Sequence, residues 1–185
     1  MQEPSDRALV LRTREGEVDA YGDLVRRYQS MVFNTCFRLC GERRQAEDLT
    51  QETFLRAYER LHTFDEGRPF APWIRTVAAN LCYNHLESGK AESWELGLED
   101  EVVQIRDTGQ SAPEQIYERK LEDQIVRAAI LRLPPQQRTV IELRHFQSLS
   151  YEEISAALDI SVSKVKTDLF RARKTLERLL EDLDR

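Results

Sequence analysis

Glycine is scarce in this chain of 185 residues: there are seven, and no cluster of them forms a phosphate-binding loop. Histidine is scarcer, at three, and neither a His-Glu-x-x-His pattern nor a nucleophile elbow occurs. The three cysteines do not make a metal site by spacing. Cys36 and Cys40 lie one helical turn apart, and His62 or His85 would have to join them, but no second ligand pair follows. Cys36 falls on an apolar helical face, where a reduced core thiol is expected. No apolar run approaches the roughly 20 residues of a membrane span. Met1–Arg7 is polar and charged, unlike a signal peptide, so a cytoplasmic protein with no direct membrane insertion is expected. Positive charge is also in deficit. Lys and Arg number 27 against 33 Asp and Glu, for a net charge of -6, which argues against non-specific coating of nucleic acid. Any DNA contact must come from local basic patches or with a partner's help. The carboxylate pairs lie on solvent faces without the burial that shifts acid–base groups. No catalytic residue, cofactor or metal is expected, and nothing recommends an enzyme.

Strand alternation is missing as well, and what remains is helical periodicity. Tyr21, Leu24, Val25, Tyr28, Val32, Cys36 and Leu39 recur at helical spacing, with Gly41 as a natural stop. Glu42–Gln45 reads as a polar link, followed by a helix from about Ala46 to Leu61. Its inner face is Thr50, Phe54, Ala57, Tyr58 and Leu61. Its outer face carries Asp48, Glu52, Leu55 and Glu59, with Gln51 at the edge. His62–Pro72 is a loop rich in turn formers, and Phe70, Trp73, Ile74, Val77, Leu81 and His85 form the next stripe. Residues 89–112 lose the periodicity and are acidic, as a flexible linker would be. Ser111–Glu114 restarts a helix with Tyr117, Leu121, Ile125 and Ala128, ending near Leu133. Pro134-Pro135 then opens a short helix through Val140, Ile141, Leu143 and Phe146. The expected fold is all-α: two small helical domains, 1–88 and 113–185, joined by the acidic linker.

The strongest motif lies at Ser150–Leu180. Ser150 and Glu153 make a capping box for a short helix, and Asp159-Ile160-Ser161 breaks it. A longer helix follows, with Val162, Val165, Leu169, Ala172, Leu176 and Leu179 in one apolar stripe. Ser163, Thr167, Phe170, Arg171 and Lys174 point away from the stripe, and Lys164, Lys166 and Arg173 flank it. A helix-turn-helix anchored on one side and basic on the other suits the DNA major groove.

Several segments in order carry a resemblance. They are Ala46–Tyr58 (AEDLTQETFLRAY), Phe70–Asn80 (FAPWIRTVAAN), Leu133–Leu143 (LPPQQRTVIEL), Ser150–Ile154 (SYEEI) and Val165–Arg173 (VKTDLFRAR). Together they resemble the bacterial extracytoplasmic-function (ECF, group 4) RNA polymerase sigma factors over nearly the whole chain apart from the linker. The resemblance implies a region 2-like first domain and a region 4-like second domain. Asp48, Gln51 and Glu52 match positions that dock on the β′ coiled coil of core RNA polymerase, which makes the patch around Leu55 part of that surface. The Phe64–Phe70 loop and the following helix match the reader of the minus-10 promoter element, giving Phe64, Arg68, Trp73, Arg75, Asn80, Asn84 and Lys90 as candidates. In the family this loop receives a base flipped from the non-template strand. Ser161, Ser163, Lys164, Lys166, Thr167, Asp168, Phe170, Arg171, Arg173 and Lys174 match the reader of the minus-35 element. The implied partners are core polymerase, promoter DNA and an anti-sigma factor.

Two departures stand out. After Asn84 the family's basic run is replaced by HLESGKAES, with Lys90 its one cation. Asp168 stands where the family often has Arg, and Phe170 where it often has His. An outward Asp168 accepts a hydrogen bond from cytosine N4 but repels phosphate, so Asp168→Arg is expected to raise promoter affinity. Two other readings stay open from sequence: a stand-alone helix-turn-helix regulator, and a polymerase-binding decoy that has lost promoter opening.

Overall fold

The computed structural model describes residues 4–88 and 124–183, so the linker, the Ser111–Glu114 helix start and Lys90 lie outside the described residues. Every regular element among the described residues is a helix. The first unit holds α1 (Asp6–Arg14), α2 (Val18–Cys40), α3 (Arg43–Glu59) and α4 (Phe70–Glu87), with a short 3-10 turn at Leu61–Thr63.

Helix α1 has no apolar stripe long enough to announce it. The Ser5 hydroxyl accepts from the Ala8 N–H and starts it. Arg14 then ties its end to the loop, donating to the Leu61 carbonyl at 2.9 Å and to the Phe64 carbonyl. Helix α2 ends where its sequence predicts, at Gly41 with φ 82°. Helix α3 begins three residues before the expected start at Ala46. The Glu42 carboxylate accepts from the N–H groups of Arg44 (3.0 Å) and Gln45 (2.7 Å), so the supposed polar link is an N-cap and first turn.

Leu24, Val32, Leu39, Leu49, Phe54, Ile74 and Ala78 fill the space between α2, α3 and α4. Cys36 is buried there as a free thiol, as its position on the stripe predicts. Tyr58, expected inward, is largely exposed, and its ring meets the buried Tyr21 ring edge-on.

The second unit contains α5 (residues 124–131), α6 (Pro135–Ile141), α7 (Tyr151–Leu158) and α8 (Val162–Leu183). Pro135 opens α6 at its first turn. The helix then widens into a π-type turn over Glu142–Phe146, which leaves Phe146 exposed instead of in the core. The Ser150–Glu153 capping box is present with both hydrogen bonds, and Asp159 closes α7 in the left-handed region at φ 53°.

The two units share one continuous core, and the seam between them is polar at its rim. Gly41 sits against Leu131 so closely that a Cβ at residue 41 would meet the Leu131 side chain at 2.9 Å. Arg138 of α6 is buried and donates to the Leu39 carbonyl at the end of α2, and to its own unit's Leu131 (2.6 Å) and Leu133 (3.1 Å) carbonyls. Those carbonyls include the unpaired acceptors a helix leaves at its C-terminus. The Arg38 guanidinium stacks 4.7 Å from the Phe146 ring centroid and pairs with Glu142, and Arg127 lies 3.4 Å over Phe37.

Candidate nucleic-acid interface

The apolar stripe of α8 settles which way its cations face. Val165, Leu169 and Ala172 are buried, so the opposite side of the helix is left to solvent. Ser161 caps the helix by accepting from the Lys164 N–H at 3.2 Å. Beyond it Ser163, Lys164, Lys166, Thr167, Arg171, Arg173 and Lys174 are exposed, and Phe170 stands 67% exposed among them. The Lys166 ammonium lies 5.9 Å over the Tyr151 ring, which aligns α7 with the cationic face. His145, from the π-type turn, belongs to the same patch. Burial first, then the charges of Arg173 and Arg144, hold its imidazole below the usual histidine range.

Asp168 does not share this face. It is only 5% exposed, and its carboxylate meets Lys164 Nζ at 3.3 Å. The expectation that Asp168 points outward to a base is therefore corrected. Its position lies on the flank of the α8 stripe, beside the buried Val165 and Leu169, and the buried arc extends to include it.

Helix α4 and its preceding loop carry the second group of candidates. Phe64, expected at an open loop surface, is buried instead. Its ring packs 5.5 Å from Phe70 and 5.0 Å from Trp73, so apolar burial has drawn it into the core. Trp73 is half-buried on the same cluster, and Arg68 is exposed beside Asp65 at 3.5 Å. Arg75 is half-buried near Arg38 and Glu142, and burial and the Arg38 charge depress its affinity for a proton. The Asn80 amide donates one N–H to the Ala157 carbonyl at the end of α7, which ties this side chain to the second unit. Asn84 is exposed. Between α4 and the end of α7 lies an open cleft of about 400 Å³, lined by Trp73, Asn80, Tyr83 and Asn84 from α4 and by Leu158 and Asp159 from the second unit.

The third surface is the outer side of α3. Leu55 is 66% exposed, with Asp48 and Gln51 exposed on the preceding turns and Glu52 pairing with Arg56 at 2.7 Å. The α3 and α8 surfaces are solvent-facing, whereas Arg75 and Asn80 on α4 are taken up by the seam.

Sequence reasoning missed Arg38, Arg138 and Glu142. One signal for them exists. Glu142 interrupts the run Val140, Ile141, Leu143, and a carboxylate placed there must find a cation.

Two family descriptions match this chain: Sigma-70 region 2 over residues 24–92, and Sigma-70, region 4 over residues 123–176. The chain is 33% identical over 183 residues to the ECF RNA polymerase sigma factor SigW of Bacillus subtilis, covering 94% of this chain and 96% of SigW. It is 30% identical over 188 residues to the RNA polymerase sigma-H factor of Pseudomonas aeruginosa, covering 99% and 97%. Among solved structures it is similar to CnrH in complex with the cytosolic domain of CnrY, at 26% identity and a TM-score of 0.60, covering 97% of this chain and 99% of that one. The sigma factor RpoE of Bartonella quintana, solved with the anti-sigma factor NepR, shares the fold at 23% identity and a TM-score of 0.61, covering 87% and 96%.

Proposed function

The chain belongs to the ECF RNA polymerase sigma factors, and from that membership we propose how its surfaces divide the work of promoter recognition. As a sigma factor it directs promoter-specific transcription initiation, binding core RNA polymerase and promoter DNA. Sigma factors are specificity subunits of the polymerase and not enzymes themselves. The bond-making chemistry is the polymerase's.

The two region matches follow each other with only residues 93–122 between them, which supports the group 4 reading. We take 1–88 as the region 2-like domain, 89–112 as linker and 113–185 as the region 4-like domain. The cytoplasm, where the polymerase works, is the proposed location. No helix among the described residues is long and apolar enough to cross a membrane.

The outer face of α3 is the polymerase-docking surface in this reading. An exposed leucine ringed by Asp48, Gln51 and Glu52 suits a basic partner helix, with Leu55 as its apolar anchor. Helix α8 reads the minus-35 element. Its early residues Ser163, Lys164 and Thr167 meet base edges, while Arg171, Arg173 and Lys174 meet phosphates. The Phe170 ring is placed to touch a thymine methyl. Helix α4 reads the minus-10 element through Asn80 and Asn84, with Trp73 as the stacking surface and Arg68, Arg75 and Lys90 on the backbone.

Geometry adds a condition. The two elements lie about 25 base pairs apart, or about 85 Å at ~3.4 Å per pair. Here α4 and α7 touch through Asn80 and Ala157. The units must therefore separate before both elements are read. Residues 89–123 reach at most about 120 Å when fully extended, enough for that separation. An anti-sigma factor is the further partner in this reading, and we place it at the seam, where it would hold the units together; among similar structures, CnrH is in complex with the cytosolic domain of CnrY.

The observation that carries this reading is the cationic, solvent-facing side of α8 opposite a buried stripe, on a chain with a net charge of -6. Run-off transcription with bacterial core polymerase and a promoter library tests it. The expected result is a defined set of transcripts that disappears when Lys164, Lys166 and Arg171 are changed to Ala. Polymerase binding without any transcript contradicts the promoter-reading role and leaves a decoy. No binding to core polymerase overturns the docking assignment.

A further inference from the structure

Helix α1 precedes residue 24, where the region 2 match begins, so the match assigns it no task. The helix is nonetheless firmly placed. Leu9 and Val10 are fully buried, and Thr13 nearly so. Its start is clasped to α2, where the Arg27 guanidinium and the Tyr28 hydroxyl both donate to the Asp6 carboxylate. Its end reaches the loop before α4. The Arg14 guanidinium donates to the Leu61 carbonyl from Nε at 3.2 Å and from Nη2 at 2.9 Å, and Nη2 also donates to the Phe64 carbonyl. These two carbonyls bracket the 3-10 turn, and one rigid cationic fork spans both. Arg7 and Glu66 add a weaker ion pair at 3.8 Å farther along the loop.

Phe64 is thus held twice. Arg14 grips its backbone, and its ring packs 5.5 Å from Phe70 and 5.0 Å from Trp73. Just past it the loop is shaped on itself: Asp65 accepts from the Gly67 N–H at 2.9 Å through its carboxylate and from the Arg68 N–H at 3.0 Å through its carbonyl. We infer that Arg14 is a positioning residue for minus-10 recognition, by which α1 holds the Leu61 and Phe64 carbonyls and so fixes the Phe64 ring and the Trp73 surface beside it. This inference rests on the proposed reading of the loop and α4 as the minus-10 reader.

The task needs two donors in fixed geometry more than it needs a positive charge. A guanidinium offers them as a planar fork, whereas a lysine ammonium is a point charge on a flexible stem and does not hold two carbonyls in one plane. Without the fork the carbonyls turn to water, the 3-10 turn is free to shift, and the Phe64 ring moves with it. A base stacked on a loosened Trp73 is still drawn to the protein. It is discriminated less, because hydrogen bonds to a base edge require the base to be held in place. The α3 and α8 surfaces take no part in this route, so polymerase docking and minus-35 reading are untouched.

The test uses holoenzyme assembled from core polymerase and the full chain, on the promoter that the run-off library returns. Fluorescence anisotropy gives the affinity for single-stranded non-template minus-10 oligonucleotides, cognate and with one base changed, and for minus-35 duplexes treated likewise. In Arg14→Gln the preference for the cognate minus-10 strand should fall about fivefold, while the minus-35 preference and the affinity for core stay at parental values. Arg14→Lys should fall as far. In the free protein, with the chain's other tryptophan removed by Trp94→Phe, acrylamide quenching of Trp73 should rise on Arg14→Gln. Unchanged quenching, or a parental minus-10 preference in Arg14→Gln, overturns the inference. So does full recovery in Arg14→Lys, which assigns the effect to charge, or an equal fall in both preferences, which is a general loss of structure. Trp73→Ala separates the two levels: a parental minus-10 preference in that variant overturns the minus-10 reading itself, and the inference with it.

Discussion

The Arg38 guanidinium holds the Glu142 carboxylate with two parallel hydrogen bonds, Nε to Oε2 at 2.9 Å and Nη2 to Oε1 at 2.8 Å. The two residues belong to different units, and the Glu142 side chain is only 3% exposed. A buried carboxylate without a cation is costly, so each residue depends on the other unit staying in place. Glu142→Gln keeps the shape and removes the charge. It is expected to cost about 1–3 kcal/mol of stability and to loosen the seam. Chemical denaturation and small-angle scattering check this. The variant's radius of gyration should rise, and the Arg38→Gln, Glu142→Gln double variant should lose less than the two single losses combined. An unchanged radius contradicts the role given to the pair.

Asp168→Arg should destabilise the protein, because a larger side chain must be fitted where the present one is only 5% exposed. A loss of about 1–3 kcal/mol, read as a lower thermal midpoint, is expected. A variant as stable as the parent would show that the site accommodates the larger side chain without repacking.

Leu55→Arg tests the α3 surface without touching the core. A substitution at a position this exposed changes stability by no more than about 0.5 kcal/mol. Affinity for core polymerase, measured by fluorescence anisotropy, should fall about tenfold or more, the loss expected of an apolar anchor. Equal affinity for parent and variant removes Leu55 from the docking surface.

His145 should carry a pH dependence. Its folded-state imidazole is held below the usual value of about 6.5 by burial and by Arg173 and Arg144. A depressed folded value means the neutral form is favoured by folding. Its contribution is therefore complete above about pH 6.5 and is lost as pH falls through the lower folded value. NMR titration of the His145 ring should show the depressed midpoint, and Arg173→Gln should move it part of the way back up. Burial, the larger cause, keeps the rest of the shift. A midpoint unmoved by Arg173→Gln would show that Arg173 does not act on the ring.

Local chemistry explains how far the sequence could be read. The helix-turn-helix, its capping box, the Gly41 stop and the stripes of α2, α4 and α8 depend on residues within one or two turns, and the structure reproduces them. The start of α3 was misplaced because Glu42 caps with a longer side chain than the usual Ser, Thr, Asp or Asn. The burial of Asp168 on the flank of its stripe and of Phe64 against Phe70 and Trp73 is set by packing, to which helical period is blind. Arg38 and Glu142 are 104 positions apart, so their pairing is invisible to spacing. Arg138 lies within a recognisable segment, yet its task at the end of α2 appears only once the units are side by side.

Asn80 donates one amide N–H to the Ala157 carbonyl, which holds the side chain against the second unit and away from the pose a base would need. If Asn80 reads the minus-10 element as proposed, closure and reading compete for one side chain, and the competition is thermodynamic. If one free molecule in a hundred is open, promoter affinity falls about a hundredfold below its intrinsic value. Any partner that binds only the open form restores that factor in full. If core polymerase is such a partner, it raises promoter affinity even at positions it never touches, by having already met the cost of opening.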